Sequence, residues 1–358
     1  RADLQEVTEV NNRILHHLLH NAFAEDVDDG GQPVGSQLNA VDLVLQSDLS
    51  PEETGRILSS YRFKDPDTAC DLVGKLARES TIFLSSRRCR HFLAATILSL
   101  LEKISQTPDP DATLVTLTNV ADAIGGKGAL WELFSYNTPS LDLFVRLCAT
   151  SDYLCSIIRS NPGMIDELID SLLMNQLPTI NWQRLNLEDL TLGAADKQPI
   201  FHSFKNVHHL RVGIRDIAGK DLIQDTHRAL SDVAEVCLES IADAEFEKCV
   251  AKFAGQPLGK DSMSACNSMV ILGLGKLGGR EPNYHSDLDV IFLYDADKQA
   301  NAWSTTSSQH LYSELALRIT RTVTQPGPRG KLYELDSRLR PTGRSGPLSV
   351  SFDEFERY

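Results

Sequence analysis

Two aspartates, Asp287 and Asp289, stand two residues apart at the head of an apolar run, Leu288 to Tyr294. Side chains two apart on an extended strand share a face, so this spacing aims both carboxylates the same way. Like charges held that close repel unless a cation sits between them. Their hard oxygens suit magnesium, which keeps several waters and takes one or two carboxylates together with substrate phosphates. Asp336 is a third candidate, on a later stretch that alternates like a strand and carries Glu334 on the same face. Three carboxylates on neighbouring strands could hold two metals, one activating an attacking oxygen and one neutralising a leaving diphosphate.

Glycines and basic residues surround these acids. Gly273, Gly275, Gly278 and Gly279 follow the apolar run Ser268 to Leu272. Glycine lets a backbone approach a phosphate closely and lets successive N–H groups point inward. Lys276 and Arg280 add positive charge to that turn, and Ser286 stands next to the aspartate pair, where it could position the turn or a phosphate. A Walker loop would place Ser or Thr after the lysine, whereas Leu277 follows Lys276. The spacing Gly273, Gly275, Gly278 fits a dinucleotide fingerprint, but a strand rather than a long helix follows it. Arg338, Arg340 and Arg344 cluster after Asp336, and arginine forks recognise phosphate oxygens in pairs. Taken singly, an Asp-x-Asp is usually a solvated turn, a glycine cluster a turn, and an arginine a surface ion-pair partner. Together, in this order and within about 70 residues, they describe a site for a magnesium-bound nucleoside triphosphate. His285 reads as a loop residue and Trp303 as a core or interface residue.

The elements that must hold these residues divide near position 255. Up to about Phe253 the pattern is helical: Phe92, Ile97, Leu98 and Leu101 recur at helical spacing between Arg88 and Lys103, and short helices follow from Leu114 to Leu173. Asp109-Pro110, Gly125-Gly126 and Asn161-Pro162 punctuate this part as turns, and the polar stretch Asn175 to Pro199 reads as a connector. Asp221 to Phe253 reads as one long amphipathic helix, with Leu230, Val233, Cys237, Ile241 and Ala244 on its stripe and Asp232, Glu235, Glu239 and Asp243 off it. Glu25 to Gln37 reads as an acidic loop. Beyond 255 the order is strand (Ser268 to Leu272), turn, strand (Leu288 to Tyr294), helix (Gln309 to Val323), strand (Lys331 to Leu339), with another strand near Leu348 to Val350. The expected class is α+β, a large helical region followed by a core with a small mixed sheet. The expected division is 1–200 helical, 201–255 helices leading into the core, and 256–358 the core.

Composition narrows the classes. The chain has 358 residues, 42% hydrophobic and 23% charged, with a net charge of −14, which disfavours a general nucleic-acid binder. No window reaches the roughly 18 uninterrupted apolar residues of a membrane helix. Seven scattered cysteines without a CxxC pair read as reduced thiols in a cytoplasmic protein, and no histidine joins them at zinc-ligand spacing. The chain starts at Arg1, so we expect a piece of a longer protein.

Two segments carry a resemblance. ILGLGKLGGREPNYHSDLDVIFLYD at 271–295 and LYELDSRLRPTGRSGPL at 332–348 closely resemble the glutamine synthetase adenylyltransferase family, within the DNA polymerase β-like nucleotidyltransferase superfamily. FKNVHHLRVGIRDIAGKDL at 204–222, SSRRCRHFL at 85–93 and the region at 160–170 resemble the family's helical approach. The resemblance implies a polymerase β-like core, metal ligation by Asp287, Asp289 and Asp336, and a further role for Asp336 in deprotonating the acceptor. It implies a phosphate turn at Gly278 and Gly279, with basic residues at Arg338 and Arg340. Family members carry two related halves, one transferring AMP from ATP to a tyrosine of glutamine synthetase and one removing it by phosphorolysis. The long helical lead-in and the LYELDSRLRP form look more like the transferring half. The implied cofactor is Mg²⁺, the implied partners are glutamine synthetase and a PII-type signalling protein, and the implied context is nitrogen assimilation. Family members continue past the position of Tyr358, so the core is expected to be truncated on that side. Other readings are the removing half, a regulatory fragment that binds a partner through an inert core, and a small-molecule nucleotidyltransferase.

Overall fold

The structure, a computed structural model, describes residues 38–46, 49–81, 84–167, 170, 176–254, 268–296, 308–327, 330–341 and 343–358, without the side chains of 253, 254 and 344. The expected acidic loop at 25–37, the boundary at 255 and Trp303 lie outside the described residues. Ala40–Tyr358 form one compact unit; of the other, Arg1–Asn39, only two residues are described.

Eight helices open this unit: α1 (Asp42–Leu45), α2 (Pro51–Ser59), α3 (Pro66–Leu76), α4 (Ser86–Ser105), α5 (Pro110–Ile124), α6 (Lys127–Tyr136), α7 (Thr138–Thr150) and α8 (Asp152–Ser160). Polar caps set their starts. Ser50 and Glu53 form a reciprocal capping box, and Asp65, Ser85, Asp109, Asn137 and Ser151 each accept a backbone N–H of the following turn. Asp109-Pro110, expected as a turn, is therefore a helix start: Asp109 caps the Ala112 amide at 3.2 Å, and Pro110 occupies the first turn, where its missing N–H costs nothing. Asn161-Pro162 likewise opens a short 3₁₀ helix, Pro162–Ile165. Gly125 and Gly126, both left-handed, make the expected turn between α5 and α6.

Among the described residues three further helices lead to the sheet: α9 (Ile180–Thr191), α10 (Gln198–Ile217) and α11 (Ile223–Ala254). The expected connector at 175–199 thus contains a helix. Its reading as polar follows from its burial, since α9 buries little beyond Gln183, Leu187 and Thr191. The long helix α11 is as expected, with its whole predicted stripe buried.

The sheet has four strands: β1 (Met269–Gly273), β2 (Leu288–Tyr294), β3 (Leu335–Asp336) and β4 (Ser349–Ser351), with a helical turn α12 (Gly275–Gly278) after β1, α13 (Ser308–Thr324) after β2 and α14 (Phe352–Glu356) at the end. Strand β2 pairs antiparallel with β1 and parallel with both β3 and β4. The sheet is mixed and the class is α+β. Strand β2 buries both faces. Leu288, Val290, Phe292 and Tyr294 join a core with α10, α11 and α13, while Ile291 and Leu293 meet Val350 and Phe355. Asp289 falls in the second, odd-numbered register, and Asp287 stands just ahead of the strand.

The strand expected over 331–339 is only two residues long. The Leu332 and Tyr333 amides donate to the Val323 carbonyl at the end of α13, at 3.1 and 3.2 Å, so that backbone is tied to a helix end rather than to a ladder. Past Asp336, the Arg338 amide turns back onto the Asp336 carboxylate at 2.8 Å and ends the strand. Among the described residues no helix is long and apolar enough to cross a membrane.

Candidate active site

The strand register assembles the acidic residues. Asp289 and Asp336 are direct partners across the parallel β2–β3 pair, so their side chains leave the sheet on the same side. Asp287 stands two residues earlier, just ahead of the first residue of β2. Asp287, Asp336 and Arg338, with Glu334, Leu335 and Ser337, line an open cleft of about 390 Å³. Glu334, expected beside Asp336, is exposed and pairs with Lys331 at 2.6 Å.

The glycine turn abuts the pair. Gly275 is left-handed at φ 51°, and a Cβ there would collide with an Asp289 carboxylate oxygen. Gly278 is similarly confined, since a Cβ would strike the Gly273 carbonyl. The Leu274 amide donates to the Asp289 carbonyl at 2.8 Å and fixes the turn to β2. Lys276 and Gly279 lie exposed on the turn. Arg280, expected to add charge here, reaches away to α11, where it pairs with Asp232 and with Glu235 at 3.2 Å. Glu235 also accepts from Arg184 of α9 at 2.8 Å, and Arg184 pairs with Glu239 at 2.7 Å. The polar face of α11 is therefore a clamp on the turn as well as a solvated surface.

Ser286 builds the loop ahead of the pair. Its hydroxyl donates to the Asn283 side chain at 3.0 Å and accepts from the Asn283 amide at 2.9 Å. Tyr284 and His285 pin this loop to the helices: His285 packs edge-on against Tyr153 of α8 at 4.8 Å, and Tyr284 lies 5.9 Å from His209 of α10. His209 was no candidate in the sequence, yet it touches both acid-bearing segments. The Tyr153 hydroxyl lies 2.8 Å from its Nδ1, and the hydroxyl of Tyr333, three residues before Asp336, lies 3.3 Å from its Nε2. Burial holds this imidazole well below its ordinary range, hence neutral, with the nearby Lys205 charge acting the same way. Lys205 donates to the Leu332 carbonyl and sits 4.4 Å over the Tyr333 ring. Only the excess of histidine and aromatic residues on one predicted helix could have pointed to this hub.

The two arginines behind Asp336 part company. Arg338 is exposed and grips Asp336, its Nε donating to both carboxylate oxygens at 2.9 and 2.6 Å. This pairing raises its affinity for its proton, and the Asp287 and Asp289 charges add to the effect. Arg340 is buried, donates to the Ser337 carbonyl at 2.6 Å and to the Gly346 carbonyl at 3.4 Å, and is not in the cleft lining. The side chain of Arg344 is not among those described.

The donor set has the chemistry of a hard-cation site. Among the described residues nothing hydrogen-bonds or ion-pairs with the Asp287 and Asp289 carboxylates, which leaves their oxygens available. The third carboxylate is engaged by Arg338, and no three acidic, histidine or cysteine side chains among the described residues converge as a metal-holding group. The residues fit magnesium by type and register, with Asp336 withheld.

The glutamate-ammonia ligase adenylyltransferase family model matches residues 141–358. The chain is 27% identical over 354 residues to a bifunctional glutamine synthetase adenylyltransferase/adenylyl-removing enzyme of Pseudomonas aeruginosa, covering 97% of this chain and 36% of that protein. It is 30% identical over 332 residues to the protein of the same description from Pseudomonas putida, covering 88% of this chain and 34% of that one. The chain thus spans about a third of the length of the curated relatives it matches. The matched region takes in most of α7, all of α8 to α14 and every residue of the cleft, and on that ground the chain belongs to the glutamate-ammonia ligase adenylyltransferase family.

Proposed function

We propose that this chain transfers AMP from ATP to a tyrosine of glutamine synthetase, through a polymerase β-like nucleotidyltransferase core. The observation that carries the reading is the pairing of Asp289 with Asp336 across β2 and β3, with Asp287 two residues earlier and the Gly275 backbone against Asp289. Magnesium, when bound, would neutralise charge on the phosphates and on the leaving diphosphate. Asp287 and Asp289 would hold it, joined by Asp336. The turn at Gly275, Gly278 and Gly279 lets the triphosphate come close, and Lys276 and Arg338 meet its oxygens as point charge and fork. Arg340 supports the turn that presents Arg338. The acceptor phenol loses its proton to a carboxylate, a role we give to Asp336, and its oxygen bonds to the α-phosphorus as the bond to diphosphate breaks. Glutamine synthetase is then the protein substrate and a PII-type protein the regulator, in the cytoplasm.

Removal of AMP by phosphorolysis is the second reading, because the relatives are named for both activities and this chain spans about a third of them. Labelled ATP with unmodified glutamine synthetase, and labelled AMP–glutamine synthetase with phosphate, separate the two. We expect label to enter glutamine synthetase in the first mixture. Release of labelled ADP in the second, with no transfer in the first, reverses the assignment.

A further inference from the structure

Leu335, Asp336, Ser337 and Arg338 form one wall of the cleft, and the backbone that leads into them is gripped from α10. Lys205 and His209 stand four residues apart on that helix and so share a face. The Lys205 ammonium donates to the Leu332 carbonyl and lies 4.4 Å over the Tyr333 ring, while His209 Nε2 lies 3.3 Å from the Tyr333 hydroxyl. The Leu332 and Tyr333 amides are taken by the Val323 carbonyl of α13. The Leu288 amide then donates to the Glu334 carbonyl at 2.9 Å, and Leu335 and Asp336 register against Leu288 and Asp289. Strand β3 spans two residues, so its own ladder offers little to resist a slip. Its place along β2 is set just ahead of it, by groups outside the sheet.

Lys205 is a demanding choice for that task. Among the described residues no carboxylate pairs with it, and burial lowers its pKa to about 8. An apolar side chain of similar length would pack on the Tyr333 ring without the desolvation penalty of an ammonium. What the charge adds is the grip on the Leu332 carbonyl. The titratable groups facing it lie far from pH 8: burial pushes Cys237 of α11 up to about 12 and Tyr333 well above its ordinary range, and holds His208 at about 3 and His209 well below its range. The charged form of Lys205 is present below about 8 and is lost as pH rises through that value.

We propose that Lys205 is a positioning residue of the active site: through the Leu332 carbonyl, its ammonium fixes where β3 and the wall from Asp336 to Arg338 stand against Asp289. His209 steadies the same stretch through Tyr333. Without the ammonium, Asp336 and Arg338 keep their contact with each other but shift together against β2. A displacement of about 1 Å at reacting groups lowers a rate by on the order of a hundredfold. This rests on the nucleotidyl-transfer reading and adds to it a residue outside the cleft.

Two measurements on the protein at its natural full length test this: AMP transfer to glutamine synthetase across the alkaline range, and hydrogen exchange followed by mass spectrometry at pH 7. In wild type, kcat is expected to fall as pH rises through about 8, with KM for ATP little changed. Lys205→Met is expected to lose roughly tenfold to a hundredfold in kcat and to show no such inflection. Lys205→Arg should recover most of the rate and also lack the inflection, because a guanidinium stays charged. Exchange in residues 332–338 should quicken in Lys205→Met and return toward wild type in Lys205→Arg, with α4 to α7 unchanged in both. A wild-type kcat in Lys205→Met overturns the positioning, as does an inflection near pH 8 that survives in Lys205→Arg, or quickened exchange spread over the whole chain. The Lys205→Arg arm decides alone where Lys205→Met does not fold. A wild type that transfers no AMP, while exchange in 332–338 responds as expected, overturns the transfer reading and leaves the positioning standing.

Discussion

Arg338 and Arg340 stand two residues apart in one motif, yet one faces the cleft and the other is 8% exposed inside a turn. Spacing could announce a basic cluster but not this division, because the residues after Asp336 form a turn without a strand's alternation. Arg340 spans Ser337 to Gly346, and its Nε is buried without a partner. Arg340→Gln is therefore expected to lower unfolding stability by about 1–3 kcal/mol, as two partly buried carbonyls lose a charged donor. Urea unfolding measures this, and unchanged stability with weakened nucleotide binding would instead place Arg340 on the phosphates. The acidic pair was legible for the opposite reason. Asp289 lies on β2 and Asp287 one residue before its start, so a spacing of two along extended backbone was enough to single them out as a pair.

At the scale of elements, the helices hold the site in three places: α11 and α9 through Arg280, α8 through Tyr284 and His285, and α10 through His209 and Lys205. Sequence periodicity located most of these helices and strands, but it treated the helices as scaffold. It missed α9, which buries too little to show a stripe, and it overran β3, whose neighbouring amides bond to α13. Contacts between distant segments have no local signature, so the His209 hub was not legible. The hub makes the helical region acid-sensitive. Burial first, and the Arg211 charge second, lower His208 to about 3, and His209 is also held neutral. Their folded pKa lies below the unfolded value near 6.5, so the unfolded chain binds more protons between the two, and stability falls as pH drops from about 6.5 toward 3. At pH 5 the loss from His208 is about 2 kcal/mol. Urea midpoints at pH 7 and pH 5 should show it, and His208→Gln should reduce the difference, His209 keeping its share; an unchanged difference would mean that His208 is not desolvated.

The molecule as a whole combines a negative net charge of −14 with a cleft whose basic groups are few and local. Affinity for a triphosphate then rests on those groups and on a cation, rather than on a general positive field. A long helical region, a mixed sheet and a cleft at the head of β2 form one compact unit, so the helices bear directly on the acids. The central claim is that Asp287 and Asp289 carry the transfer. Its most direct measurement is the transfer of α-labelled AMP from ATP to glutamine synthetase by the protein at its natural full length, wild type against Asp287→Asn/Asp289→Asn, with the unfolding midpoint recorded for both. The expected result is a loss on the order of a thousandfold or more with the midpoint unchanged, since the metal's several kcal/mol of stabilisation would be gone. Transfer at the wild-type rate by the folded double variant would contradict the account.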